Sequence, residues 1–174
     1  NRLSGYIQDM YRISIPKTIY FEDSVRAKDS TYSIKDTIET NSYFSMTGGV
    51  RANYWDYNSQ LVVSPRISFN FRPAWFYVRD DEIYRRNVSF RFATGFYYQP
   101  PFYRETRNLQ GVINPEIRAQ KSIHFVFGSD YTFFMWKRPF KLGAETYYKH
   151  LTDIIPYEID NVRIRYYGEN NAKG

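Results

Sequence analysis

Residues 88–96 read Val88-Ser89-Phe90-Arg91-Phe92-Ala93-Thr94-Gly95-Phe96, an alternation of large apolar with polar or small residues that only Thr94 interrupts. On a β-strand, successive side chains point to opposite faces. Phe90 and Phe92 therefore share one face, while Arg91 lies on the other. The stretch predicts a strand with one apolar face and one polar face.

Five further stretches alternate in a similar way, and no segment shows a sustained helical period. Short links at Asp56–Gln60 and Lys137–Pro139 are typical of hairpins. Ile15–Asn41, Pro73–Arg86 and Gln99–Gln120 are predicted to be longer connections. The pattern predicts an all-β fold, an antiparallel up-and-down meander. The six predicted strands are Arg2–Tyr11, Tyr43–Trp55, Leu61–Arg72, Asn87–Tyr98, Ser122–Phe134 and Phe140–His150.

The composition limits the function classes. The 174 residues include 18 Tyr and 14 Phe, which favours β structure. The mean hydropathy is −0.61, and no apolar run reaches the roughly 20 residues of a membrane helix. Alternating strands of roughly 10 residues remain compatible with a membrane. The absence of cysteine excludes disulfides and thiolate metal sites.

The charge pattern argues against nucleic acid as a partner. The net charge is +6, but the mid-strand arginines lie opposite the phenylalanines, so that stacking and charge are on different faces. Asp80, Asp81 and Glu82 are interpreted as a solvated turn. His124 and His150 lack a second ligand at metal-binding spacing, and no catalytic motif is present. The sequence predicts no enzyme, cofactor or metal site.

Two arginines indicate which face of the sheet contacts lipid and which faces a polar interior. Arg66 and Arg91 lie in mid-strand, and each would cost about 2–4 kcal/mol if it faced lipid near the midplane. The phenylalanine face is therefore expected to meet lipid and the arginine face an interior. Aromatic residues at strand ends, such as Trp55 and Tyr98, suit membrane-interface girdles. A soluble β-sandwich also has an aromatic core and fits the same pattern.

Several motifs, in their order and spacing, resemble the barrel of TonB-dependent outer-membrane receptors, in the variety with an N-terminal carboxypeptidase-regulatory-like domain. The resemblance covers nearly the whole chain and is weakest over Ile15–Asn41. The motifs are Tyr6–Asp9, Gly48–Trp55, Ser64–Arg66, Gly95–Glu105, Asn114–Glu116, Glu145–Lys149, Ile155–Asn161 and Asn170–Gly174.

The resemblance implies a large transmembrane β-barrel of about 22 strands around a plug, of which residues 1–174 form a part. Such receptors take up a scarce nutrient, such as a metal chelate, cofactor, peptide or glycan, with energy from an inner-membrane complex through TonB. The expected partners are outer-membrane lipid, the protein's own plug domain, TonB through that plug, and the nutrient. Asp56–Gln60, Gln99–Gln120 and Ile155–Gly174 would be extracellular, and Pro73–Arg86 and Trp136–Pro139 periplasmic.

The same resemblance implies two groups of site residues. Side chains of the polar face would line the lumen and contact the plug, and side chains after the fourth predicted strand would contact substrate at the outer mouth. Two prolines, Pro100 and Pro101, also suit a plain strand end there. The lumen group is Arg51, Arg66, Arg91, Asp130 and Glu145, and the mouth group is Tyr98, Gln99, Tyr103 and Arg104.

Two other interpretations stay open. The first is a self-contained β-sandwich that binds carbohydrate through surface aromatic residues. The second is a small complete outer-membrane barrel with a structural role, in which Arg2–Tyr11 would pair with the last strand. Six strands are few for a barrel, and an open sheet has two exposed edges that invite further strands, so a longer parent protein is expected.

Overall fold

The computed structural model describes residues 2–27, 30–79 and 82–174, and side chains within 2–18, 39–77 and 84–174. Nearly all regular structure is β, as predicted. The nine strands are β1 (Arg2–Ala27), β2 (Ser30–Trp55), β3 (Gln60–Arg72), β4 (Trp75–Arg79), β5 (Glu82–Gln99), β6 (Gln120–Met135), β7 (Arg138–Thr152), β8 (Tyr157–Asp160) and β9 (Arg163–Tyr166).

One large antiparallel sheet contains the first seven strands, in the order β1-β2-β3-β5-β6-β7, with β4 paired to β5. Each long strand follows its sequence neighbour, so the predicted meander is confirmed. Strands β8 and β9 form a separate hairpin. The β6–β7 turn is tight because Trp136 and Lys137 have φ angles of 52° and 61°, which matches the twist of antiparallel strands.

All six predicted strands are present, but the prediction of a long connection at Ile15–Asn41 is wrong. β1 continues to Ala27 and β2 begins at Ser30, with Ile19 opposite Ile38 in the ladder. The charges in this segment obscured its many Ile, Thr and Tyr residues, which favour extended backbone. The first two strands therefore extend beyond the rest of the sheet as a two-stranded ribbon.

The second predicted connection, Pro73–Arg86, also contains a hairpin. β3 ends at Arg72 because Pro73 has no amide hydrogen for a ladder, and β4 then pairs from Trp75 opposite Arg86 to Arg79 opposite Glu82. Asp80 and Asp81 of the predicted solvated turn lie outside the described residues. Ala74 N donates to Ser42 Oγ at 2.9 Å, which ties this hairpin to β2.

A proline inside a strand, such as Pro65, favours a bulge or a local pairing defect. The β3–β5 ladder runs from Arg66 to Phe71 and stops beside Pro65, whose nitrogen cannot donate. The pairing of β3 with β2 continues past this point, with Pro65 opposite Val50. Beyond the end of the β3–β5 ladder, loop residues lie beside β3, and Ala119 N donates a hydrogen bond to Gln60 Oε1 there.

Those loops form a compact unit that we call the loop cap, made of the turn 56–59 and residues 100–119 and 153–174. Its residues Ile117 and Ile155 form a buried cluster with Trp55 at the end of β2, and Tyr166 packs against this cluster. Side-chain amides replace regular ladders there. Asn170 Oδ1 accepts from Arg118 N at 2.6 Å, and Asn170 Nδ2 donates to Arg118 O at 3.0 Å and to Asp153 O at 2.8 Å.

The two outer strands of the sheet differ in what borders them. Among the described residues, β1 has a ladder only with β2, and no ladder joins it to β7 or β9. At the free side of β7, Leu151 and Gly174 exchange both backbone hydrogen bonds, and Ile154 and Ala172 form an antiparallel bridge. Within the described ranges, no helix has the length and hydrophobicity needed to cross a membrane.

Candidate functional site

The register of the sheet aligns the phenylalanines of different strands on one side, which we call the apolar face. Phe71 lies opposite both Phe44 and Phe90, and Phe92 lies opposite both Phe69 and Phe127. Their rings pack along the sheet, with centroid distances of 6.0 Å for Phe44–Phe69 and 6.3 Å for Phe69–Phe92. The period-two prediction therefore holds across the strands as well as along them.

No described segment covers the apolar face. Each strand of the sheet packs against its neighbours within the sheet, and Phe125 and Phe127 keep 42% and 46% of their surface exposed. Leu142, at 64%, and Ile7, at 76%, are more exposed still. A continuous exposed apolar surface of this kind marks contact with another apolar body.

Asp9 is a charged exception on the apolar face. It lies opposite Gly48 and two residues from Ile7 in the same strand, so it has the same orientation as the apolar residues. Its Oδ1 accepts a hydrogen bond from Met10 N at 2.8 Å, which satisfies one acceptor site locally.

The opposite, polar face carries an ion-pair network. Asp130 Oδ2 lies 3.2 Å from Arg91 Nη2, and Asp130 Oδ1 lies 3.4 Å from Lys141 Nζ. Gly128 faces Arg91 on one side and Glu145 on the other, and this missing side chain leaves room for both. The structure thus brings together three of the five predicted lumen residues, Arg91, Asp130 and Glu145, with Lys141, which shares the face of Glu145 by period two, as a member outside the predicted set.

The other two predicted lumen residues, Arg51 and Arg66, lie in a groove nearer the loop cap, which we call the basic groove. Arg51 is opposite Tyr6 on β1 and Ser64 on β3, and Arg66 is opposite Gly49 and Gly95. The groove has a volume of about 490 Å³. Both guanidinium groups are exposed within it.

A stack of three side chains holds Arg66 in place. The guanidinium carbon lies 4.2 Å from the centre of the Tyr97 ring, and the Tyr97 and His124 rings lie 4.3 Å apart at 25°. A methyl group at Gly95 would come within 2.8 Å of Arg66 Cγ, so only glycine leaves space for Arg66 to lean toward Tyr97. His124 Nε2 is buried without a hydrogen-bond partner among the described residues.

The loop cap covers the polar face at this end of the sheet. Val62 and Ser64 share the orientation of Arg66 by period two, and they are only 7% and 2% exposed. Gln60 Oε1 accepts from Ala119 N at 2.9 Å, which holds the loop over them. Burial is therefore concentrated on the polar side of the sheet, while the phenylalanine side is open.

The four predicted mouth residues do not form one cluster. Tyr98 shares the orientation of Phe96 on the apolar face, whereas Gln99 points to the polar face. Tyr103, 68% exposed, has its hydroxyl hydrogen-bonded to Arg107, and the Arg107 guanidinium lies 4.8 Å from its ring centre. Arg104 is exposed and its carbonyl accepts from Arg107 N.

Trp55 differs from the expected interface girdle. It is 8% exposed and stacks on Tyr57 with a centroid distance of 5.2 Å inside the loop cap. Trp55 lies four residues after Arg51 in β2, so the period of two places both side chains on the polar side. This signal was available in the sequence. Trp136, at the β6–β7 turn, is 80% exposed, as a residue at an interface would be.

Two further observations concern metal binding and the ionisation of a tyrosine. The described residues contain no cluster of three His, Asp or Glu side chains that would hold a metal ion. In the loop cap, the Glu158 carboxylate, which accepts from Tyr167 Oη at 3.2 Å, raises the pKa of Tyr167 above its usual value.

Comparisons with protein-family models, curated proteins and solved structures find no match to this chain.

Proposed function

We propose that this chain is a wall segment of a large transmembrane β-barrel in an outer membrane, and that the barrel belongs to a TonB-dependent transporter of a scarce nutrient. In this proposal, the apolar face contacts lipid and the polar face lines a lumen filled by the plug. The loop cap forms part of the outer mouth, and the turns at residues 73–86 and 136–137 lie on the periplasmic side.

The observation that carries the proposal is the distribution of burial between the two faces. A soluble sheet buries its apolar face and exposes its charged face. Here the phenylalanines are uncovered, and the loop cap packs on the side that carries Arg51 and Arg66. This arrangement is stable in water only if another apolar body covers the phenylalanines, and lipid satisfies that requirement along the whole face.

The polar face supports an interior role. Arg91 and Lys141 both pair with Asp130 across three strands, and each such partly exposed pair contributes about 0.2–1 kcal/mol. On a lipid face, the same cations would cost about 2–4 kcal/mol each. A polar lumen that touches a plug removes this cost, so these three residues and Glu145 are proposed as plug contacts.

The edges of the sheet support a larger wall. An exposed edge strand invites pairing with another strand, and β1 offers such an edge along the whole of its length. At the other side, the hydrogen bonds of Leu151 and Ile154 to Gly174 and Ala172 have the antiparallel pattern of a further strand beside β7. The β1–β7 pairing that a small complete barrel would use is not among the described ladders.

Cell fractionation tests the proposal. Inner and outer membranes from the producing bacterium are separated by density, and the protein is followed with an antibody. We expect it in the outer-membrane fraction, resistant to a carbonate wash, and with slower electrophoretic mobility after boiling in detergent than before. A protein found in the soluble fraction would disprove the membrane assignment.

Transport is tested separately by nutrient-limited growth. A deletion strain and a strain that lacks TonB are compared with the wild type on a panel of metal chelates, cofactors, peptides and glycans. The deletion strain should fail on one nutrient and grow normally on the others, and the strain that lacks TonB should fail at least on that same nutrient. Wild-type growth of the deletion strain on every nutrient supplied as limiting would count against a transport role.

A further inference from the structure

We propose that the basic groove binds the anionic group, a carboxylate or phosphate, of the transported substrate. This inference rests on the proposed function and adds the chemical class of the substrate to it. It assigns to Arg51 and Arg66 a role different from that of Arg91, although all three are mid-strand arginines of the same face.

The first argument is charge balance. Arg91 has Asp130 at 3.2 Å, whereas none of the ion pairs among the described residues includes Arg51 or Arg66. Because Arg51 is opposite Ser64 and Arg66 is two residues further along β3, the two arginines are diagonal neighbours, roughly 7–8 Å apart at their backbones. Two like charges this close repel each other, and an anion between them removes the repulsion.

The second argument is the availability of hydrogen-bond donors. Tyr97 covers one face of the Arg66 guanidinium at 4.2 Å, but the N–H donors of a guanidinium lie in its plane and remain free for bidentate bonds to an anion. The Tyr97–His124 stack fixes the orientation of that plane. A held guanidinium loses less conformational entropy on binding than a mobile one.

The third argument is the space around the arginines and the direction in which it opens. The groove of about 490 Å³ is lined by both arginines, with Gly49 opposite Arg66 in its wall. A second cavity of about 270 Å³ shares Arg51, Ser64, Arg66 and Tyr97 with the first and extends toward Pro100 in the loop cap. The groove thus leads to the proposed outer mouth, from which a substrate enters. The ion-pair network of Arg91 lies outside both cavities.

Calorimetric titration of the full-length protein in detergent tests the inference, with citrate and inorganic phosphate as the probes at low ionic strength. We expect citrate, phosphate or both to bind, more weakly as salt increases. The double variant Arg51→Gln/Arg66→Gln should weaken binding by about tenfold or more, because hydrogen bonds to charged groups are lost. The matched control Lys137→Gln/Arg138→Gln, which removes two exposed cations at the β6–β7 turn and outside both cavities, should bind as the wild type does.

Three results would overturn the inference: no binding of either anion, unchanged binding by the groove variant, or an equal loss in the control. These outcomes are separable from failure of the proposed function. An outer-membrane protein that binds neither anion would refute only the substrate class. Anion binding through Arg51 and Arg66 in a protein absent from the outer membrane would refute only the transporter.

Discussion

At the scale of single residues, glycines determine where the large side chains of the polar face lie. Arg66 is flanked by Gly49 and Gly95, and Arg91 is opposite Gly128. Each long side chain occupies the space above a residue that has none. The described part of the chain has no second sheet packed on this one. Long side chains that fill the space above glycines therefore provide the packing that a core would otherwise provide.

Gly95 provides the clearest test at this scale. An added methyl group would meet Arg66 Cγ at 2.8 Å and the backbone oxygen of Pro65 at 3.2 Å, so Gly95→Ala must displace Arg66 or separate β3 from β5. We expect a loss of about 1–3 kcal/mol in the free energy of unfolding, measured by urea denaturation in lipid vesicles. Gly48→Ala is the control, because a methyl group there has no atom within 4 Å. Equal stability of the two variants would contradict the packing described for Arg66.

At the scale of elements, the loop cap depends on side-chain amides more than on regular structure. Asn170 joins Arg118 and Asp153, Asn58 Nδ2 donates to Ile117 O at 2.7 Å, and Asn114 Nδ2 donates to Gly168 O at 2.7 Å. These bonds connect segments that are far apart in sequence. They hold the cap over the polar face and so shape the end of the basic groove.

Removal of Asn170 should loosen the loop cap. Asn170→Ala deletes three hydrogen bonds, and we expect a local destabilisation of about 1–3 kcal/mol. Hydrogen–deuterium exchange at the Arg118 amide, which donates to Asn170, should become faster by the corresponding factor. Asn171→Ala is the matched control, since Asn171 is exposed and bonds only Glu169 among the described side chains. Unchanged exchange in Asn170→Ala would show that the cap is held by other contacts.

The sequence was informative about the elements to the extent that period-two alternation was present. Phe90, Phe92 and Arg91 define their strand and its faces without other information, and the structure confirms them. The extension of β1 and β2 through residues 15–41 was missed because charged and polar residues interrupt the alternation. Arg51 and Arg66 share a groove because of the β2–β3 register. A slip of one residue would move Arg66 to the opposite face of the sheet. The loop cap was not predictable because its contacts join residues more than fifty positions apart, such as Arg118 and Asn170.

At the scale of the whole molecule, the two faces of one sheet have different environments. The apolar face has no protein over it among the described residues, and the polar face has charges, a groove and the loop cap. A membrane on one side and a lumen on the other account for both. Asp9 on the apolar face is the residue that fits this account least, because in a barrel wall lipid would also contact β1, and a charged side chain on the lipid face is destabilising.

Adjacent residues of β5 allow a matched test of this asymmetry. Phe92 points to the apolar face and Ala93 to the polar face. Phe92→Arg should lower the stability by about 2–4 kcal/mol and reduce the amount assembled in the outer membrane, because an arginine near the midplane would face lipid. Ala93→Arg should assemble at the wild-type level. The measurement is the heat-modifiable fraction of the protein in isolated outer membranes, and equal assembly of the two variants would contradict the assignment of the faces.

The central claim is that lipid covers the phenylalanines, and spin-label accessibility tests it most directly. These 174 residues contain no cysteine, so a single labelled cysteine can be introduced at Ser68, Phe69, Val126 or Phe127, one position at a time, in full-length protein in lipid vesicles, with any cysteine outside this segment replaced. We predict that labels at 69 and 127 collide mainly with oxygen, which concentrates in lipid, and that labels at 68 and 126 show a much lower ratio of oxygen to nickel-complex collisions. Labels at 69 and 127 that meet mainly the water-soluble nickel complex, or that meet neither reagent, would contradict the account.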